Sequence, residues 1–350
     1  MDEINNLNRI LELLPQPVFC VQNGSVLCPN HAARQLFIET GLPIDELLGD
    51  AKEDYAQFDG SAMYLQLALP GMQIGACVTR MDGFDIFVTE QAHTELQAMA
   101  LAAQQFRQPL SDVMSILNRT EIKTGTAYQG ELHRGLFQMK RLVLNMSDAA
   151  RYATETSHDQ VCMNICSVTA ELFEKIELLA AGSGITLIHS CPREPILTML
   201  NEEKLERALY NMISNAMKVT PKGGTIEASL SCSRGRLYLS VRDHGGGIPQ
   251  EILGSVYTRF LRQPSLNHGE EGLGLGMSLI RSAAIHHGGS VLIAQPKDGG
   301  TKITMSLSIR KNPDSILRSN ILSVDYAGYQ DHGLIELSDI LPADLYRKDS

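Results

Sequence analysis

Asn211 and Asn215 stand four residues apart in Leu205–Lys218 (LERALYNMISNAMK), a segment whose apolar residues recur at helical spacing. On a helix the two amides project from one face, a turn apart, a geometry that can hold one Mg²⁺ against a polyphosphate. Three glycine clusters follow in order: Asp243-His244-Gly245-Gly246-Gly247-Ile248-Pro249, then Gly272-Leu273-Gly274-Leu275-Gly276, then Gly299-Gly300-Thr301. The last leads into KITMSLSI, whose alternation predicts a strand. A lone glycine cluster ordinarily marks a turn. Four nucleotide-type signals in one order, between Asn201 and Ile309, argue for a nucleotide site.

The asparagine helix, DHGGGIP, VYTRFLR, GLGLGMSLI, HGG and GGT together resemble the ATP-binding domain of sensor histidine kinases. That domain is the Bergerat-type α/β sandwich shared with gyrase, Hsp90 and MutL proteins. The resemblance covers about a third of the chain and implies ATP and Mg²⁺ as ligands. It makes Asn211 and Asn215 the metal-binding amides and Lys218 the basic residue that meets phosphate. Asp243 would receive the adenine amino group, and Gly245 and Gly247 would let the backbone pass close to the base. Gly272, Gly274 and Gly276 would offer unhindered N–H groups to the phosphates at a helix start. Arg259 and Arg262 fall on basic positions of the family, and Thr301 completes the ATP-site set. Val219 stands where many relatives place an aromatic over the adenine, which implies lower affinity. Asn211 also occupies the position where the gyrase and Hsp90 branch carries a glutamate that activates water, so strong ATP hydrolysis is not expected.

The elements that must position this site begin far upstream. Residues 1–90 predict a strand at Val18–Val21, an Asn23-Gly24 turn, a second strand, and a helix capped by Asn30. Strand-like runs at Met63–Leu69, Ile74–Arg80 and Phe84–Glu90 are separated by Pro70-Gly71 and Asp82-Gly83. The pattern resembles a PAS sensor domain. From Leu96 a heptad takes over through Met99, Ala103, Phe106, Leu110, Val113 and Leu117. It resumes at Leu132, Leu136, Met139, Val143, Met146 and Ala150. Two such helices make an antiparallel hairpin, and two hairpins make a dimeric four-helix bundle.

In the kinase family this bundle carries the phosphorylated histidine and an adjacent glutamate. Here the matching stretch is Ala103-Gln104-Gln105-Phe106-Arg107-Gln108-Pro109-Leu110. Gln104 and Gln105 replace the two residues that carry the chemistry, and an amide supplies neither a nucleophilic nitrogen nor a useful base. His93 and His133 lie outside any acceptor-like context and are expected to be solvated. His286 and His287, at the predicted end of a helix, are expected to be structural.

The whole is an α+β multidomain chain: a PAS-like domain (1–90), a helical hairpin lacking the acceptor histidine (91–156), an ATP-binding sandwich (157–310) and an acidic tail (311–350). In the tail, GLIELSDILPADLY has an amphipathic turn able to dock on the ATP domain or a partner. Among 350 residues, 43% hydrophobic, no apolar run approaches a membrane span, and no signal peptide opens the chain, which predicts a cytoplasmic protein. Seven scattered cysteines suggest neither zinc nor disulfides, and a net charge of −10 argues against a nucleic-acid partner. The function expected is an ATP-binding regulator, a dimeric pseudokinase. The alternative is an active histidine kinase acting on a non-standard histidine in itself or a partner, with a response regulator or another signalling protein downstream.

Overall fold

The computed structural model describes residues 8–59, 61–89, 126–151, 160–249, 275–310 and 331–346, with isolated helical positions at 106, 110, 113 and 114. The N-terminal block forms β1 (Val18–Gln22), β2 (Ser25–Leu27), α1 (His31–Gln35), α2 (Ile44–Leu48), α3 (Lys52–Tyr55), β3 (Ala62–Leu69), β4 (Met72–Met81) and β5 (Phe84–Thr89). Asn23 and Gly24 both take positive φ, 51° and 76°, as a two-residue hairpin between right-twisted strands requires. Asn30 caps α1, its Oδ1 accepting from Ala33 N at 2.9 Å, while its Nδ2 donates to the carbonyls of Leu11, Leu14 and Gln16. The core of this block lies between the sheet and the short helices, around Phe19, Leu47, Leu65 and Phe87.

The long helix α4 spans Thr126–Arg151. Of the heptad positions expected in the preceding helix, Phe106, Leu110 and Val113 are described; Phe106 and Val113 are exposed, and Met114 beside them is buried. On α4 the expected seam divides. Leu136 is buried, but Leu132 and Met139 are exposed, and the face that packs internally carries His133, Arg141, Leu144, Asn145 and Asp148.

The C-terminal block contains β6 (Val161–Asn164), α5 (Ile165–Gly182), β7 (Thr186–Ser190), β8 (Leu197–Leu200), α6 (Glu202–Val219), β9 (Thr225–Ser233), β10 (Arg236–Arg242), α7 (Gly276–His286), β11 (Val291–Ala294), β12 (Lys302–Ser308) and α8 (His332–Glu336). Helices α5, α6 and α7 cover one face of the sheet, with Phe173, Ile176, Leu209, Ile213, Leu239 and Ile280 fully buried between the layers. The short β6–β8 pair stands apart as its own antiparallel ribbon.

The two blocks share a sheet. Its order is β2-β1-β5-β4-β3-β11-β12-β10-β9-β7, and the seam is an antiparallel pairing of Ala62, Met63 and Tyr64 with Ile293, Leu292 and Val291. This pairing satisfies backbone groups that would otherwise be left on two open edges. Beside it lies a buried ionic cluster: Asp54 Oδ2 accepts from Arg236 Nη2 at 2.7 Å, Ser290 Oγ at 2.7 Å and Ser306 Oγ at 2.6 Å. Arg281 of α7 stacks over the ring of Tyr64 at 4.4 Å. Among the described residues, no helix is long and apolar enough to cross a membrane.

Candidate functional site

Helix α6 is built to hold its position. Asn201 caps it through Oδ1, accepting from Lys204 N at 2.8 Å, and Glu202 and Glu203 sit in the first turn, where the helix dipole favours negative charge. Leu205, Ala208, Leu209, Met212, Ile213 and Ala216 anchor it in the core. Asn211 is buried on the same helix; its Nδ2 donates to Arg207 O at 2.8 Å, which fixes the amide plane. Asn215 is half-buried and Lys218 exposed one and two turns on.

Against this helix the fold brings the glycine-rich segments. A methyl group on Gly276, at the start of α7, would lie 2.8 Å from Asn211 Oδ1, so α7 approaches the amide as closely as it does because this residue has no side chain. Asp243 leaves the end of β10 and is buried; its Oδ1 accepts from Gly245 N at 2.8 Å and from Thr301 N at 3.1 Å. The carbonyl of Thr301 in turn accepts from Asp243 N at 2.9 Å. A Cβ on Gly300, whose φ is +80°, would overlap the Asp243 carbonyl, so the GGT turn and the DHGGG turn are in direct backbone contact. Val219 lies against Gly245, where a Cβ would stand 2.9 Å from Val219 Cγ2, and about half of Val219 is left exposed. Gly247 adopts φ +76°, a left-handed turn that glycine takes without cost.

Asn211 thus meets Gly276, while Asp243, Gly245 and Thr301 meet one another, and Val219, on the same helix as Asn211, Asn215 and Lys218, joins the two groups through its contact with Gly245. Arg259, Arg262, Gly272 and Gly274 lie outside the described residues, as do Gln104, Gln105 and His93. The donor set that is described suits a magnesium-bound nucleotide: amide oxygens on α6, a buried carboxylate beside a backbone-only turn, and a helix start kept bare by glycine.

Two histidines differ in their fate. His287 is structural, as expected: it is buried, its Nδ1 donates to Ala283 O at 2.7 Å, and its Nε2 accepts from Asn201 N at 3.1 Å. Burial pushes its pKa down to about 4, so the ring is neutral and caps the loop that enters α6. His133, expected to be solvated, is buried instead; its Nδ1 lies 3.0 Å from Tyr346 O, because residues 331–346 fold back over α4.

That fold-back supplies residues the sequence did not single out. Arg207, fully buried one turn before Asn211, pairs with Asp148 of α4 and with Glu336 Oε1 of α8 at 3.0 Å, and donates to Asn145 Oδ1 at 2.7 Å. Arg141 of α4 reaches Asp339 Oδ2 at 2.5 Å and donates to Ser214 Oγ of α6 at 3.1 Å. Lys218 Nζ stands 3.4 Å from the same Asp339 oxygen. No spacing signal marks Arg207 in the sequence, because its neighbours on the helix face are Glu203, Lys204, Tyr210, Asn211 and Ser214; the buried guanidinium demands carboxylate partners, and these come from distant segments.

Residues 200–311 match the family model described as "Histidine kinase-, DNA gyrase B-, and HSP90-like ATPase". The chain is 29% identical over 330 residues to the sensor histidine kinase WalK of Bacillus subtilis, covering 84% of this chain and 53% of that protein. It is 29% identical over 199 residues to the hybrid signal transduction histidine kinase D of Dictyostelium discoideum, covering 54% of this chain and 12% of that protein. Among solved structures, full-length ShkA in complex with AMPPNP aligns with a TM-score of 0.51 at 20% identity, over 62% of this chain and 46% of that one. The chain therefore carries an ATP-binding domain of the histidine-kinase family, with the α+β fold of that domain.

Proposed function

We propose that this protein is a Mg-ATP-dependent histidine kinase of a two-component system that phosphorylates a histidine outside residues 103–110, in itself or in a partner, with a response regulator downstream. The observation that carries this reading is the pair of contacts, Asn211 against Gly276 and Asp243 with Gly245 and Thr301, joined through Val219 inside the region matched by the ATPase family. Asn211 and Asn215 would hold Mg²⁺ through their amide oxygens, and Lys218 would meet the phosphates. Asp243, pinned by Gly245 N and Thr301 N, would accept the adenine amino group. Arg259 and Arg262, together with the N–H groups of Gly272, Gly274 and Gly276, would hold the polyphosphate. Bound magnesium supplies charge neutralisation to the polyphosphate. The exposed Leu132 and Met139 of α4 favour a homodimer through that face, and the strand order of the N-terminal block favours a PAS-like sensor. Because His133 is buried against Tyr346, His93 or a partner's histidine is the better acceptor.

A second reading, an ATP-sensing pseudokinase, is favoured by Gln104 and Gln105, which cannot accept or relay a phosphoryl group. Incubation with Mg²⁺ and γ-labelled ATP, beside an Asn215→Ala control, separates the two. Acid-labile, base-stable label that the control lacks establishes the kinase. Nucleotide binding without label leaves the regulator, and no binding by either protein sinks both readings.

A further inference from the structure

Residues 331–346 are wedged between α4, α5 and α6. Arg134 Nε and Gln138 Nε2 of α4 donate to Ser338 O at 3.1 and 3.2 Å, and Phe137 packs edge-on against Tyr346 at 5.3 Å. A Cβ on Gly182, at the end of α5, would touch Leu345 at 3.1 Å, and the Tyr346 hydroxyl donates to Leu334 O at 2.7 Å. Glu336 is fully buried between Arg207 and Arg141. Three cations, Arg141, Arg207 and Lys218, face three carboxylates, Asp148, Glu336 and Asp339. The arrangement ties α4 to the helix that carries the metal-binding asparagines.

Five of these six charges are largely buried or fixed by several bonds. The sixth, Lys218, is the most exposed: 38% of its side chain is open to solvent, its Nζ lies 3.4 Å from Asp339 Oδ2, and it adjoins Val219, which packs against Gly245.

We propose that the C-terminal segment is a nucleotide-responsive wedge in which Asp339 competes with the nucleotide's phosphates for Lys218. The proposal rests on the reading of Lys218 as a phosphate ligand. A polyphosphate offers several negative charges where Asp339 offers one, so nucleotide draws the Lys218 ammonium away from the wedge. Asp339 then keeps Arg141 alone, and the contact between 331–346 and α6 weakens at that end. In the absence of nucleotide, Asp339 both occupies the lysine and repels an incoming phosphate. The wedge is therefore an inhibitory contact that nucleotide loosens at its Lys218 end, while buried Arg207 keeps α4 joined to α6.

The test compares full-length wild type with Asp339→Asn, which keeps the side chain's shape, and Asp339→Glu, which keeps its charge. Calorimetric titration with Mg-ADP reads affinity, and amide exchange of residues 331–346 with and without Mg-ADP reads the wedge. A partly exposed pair of this kind predicts binding about two- to fivefold tighter in Asp339→Asn. Asp339→Glu restores wild-type affinity. Nucleotide accelerates exchange of 331–346 in the wild type and does so less in Asp339→Asn. Equal affinity in wild type and Asp339→Asn overturns the proposal, as does exchange of 331–346 that ignores nucleotide. Binding by none of the three proteins removes the nucleotide-site reading itself, and the wedge proposal falls with it.

Discussion

Replacing Asp54 with alanine should undock the N-terminal block from the ATP domain. Asp54 Oδ2 is the shared acceptor for Arg236 Nη2, Ser290 Oγ and Ser306 Oγ, and the Asp54 side chain is only 3% exposed. Removing one member of a buried ion pair costs about 3–5 kcal/mol, because the other charge is left without its counterion. Arg236 retains the carbonyls of Gly288 at 3.0 Å and Asp50 at 3.2 Å, which places the cost at the low end, about 3 kcal/mol. Local opening of the β3–β11 seam should then be favoured about a hundredfold, at 1.4 kcal/mol per factor of ten. Amide exchange of Ala62–Tyr64 and Val291–Ile293 is the suitable assay, since a multidomain chain has no single unfolding free energy. The double variant Asp54→Ala with Arg236→Met removes both charges and should recover about 2 kcal/mol relative to the sum of the single changes. Exchange at the seam that rises less than twofold in Asp54→Ala, or costs that simply add, would refute the argument.

Gly276→Ala should lower stability by about 1–3 kcal/mol, since the added methyl overpacks the buried, hydrogen-bonded Asn211 amide, and should weaken Mg-nucleotide binding by about tenfold by displacing that amide; parallel melts and titrations check both. His287 gives a pH signature. Its folded pKa of about 4 lies below the ordinary 6.5, so its contribution is present above pH 6.5 and lost as pH falls toward 4. Between pH 7 and pH 5 the loss is about 2 kcal/mol, and His287→Gln should flatten that slope in urea denaturation. On α4, Leu132→Lys with Met139→Lys should shift the protein toward monomer in analytical ultracentrifugation, because both side chains stand exposed on the expected seam.

Much of the site was legible because its signals are local. The i, i+4 asparagines need only a helix, and α6 is one; Asp243 and Gly245 lie two residues apart, and the structure closes that turn with a single hydrogen bond. The hairpin at Asn23-Gly24 and the Asn30 cap were readable for the same reason. What the sequence did not disclose is long-range. Arg207 and Asp148, or Asp54 and Ser306, are paired across scores of residues, and nothing in the spacing of either chain segment announces the partner. His133 illustrates the failure: its own helix leaves it on a polar-looking position, and only the return of Tyr346 buries it. The amphipathic GLIELSDILPADLY segment could be read as able to dock, but the Glu336 carboxylate that fixes where it docks needed the buried arginines to be seen.

The most direct test of the nucleotide site is calorimetric titration of Mg-ATP into the wild type and into Asp243→Asn. Asparagine keeps the shape of the side chain and an oxygen for Gly245 N and Thr301 N, but loses the charge that would hold the adenine amino group. The account predicts saturable binding by the wild type and affinity at least about tenfold weaker in the variant, with its melting profile unchanged. Equal affinity in the two proteins, or no binding by the wild type, would contradict it.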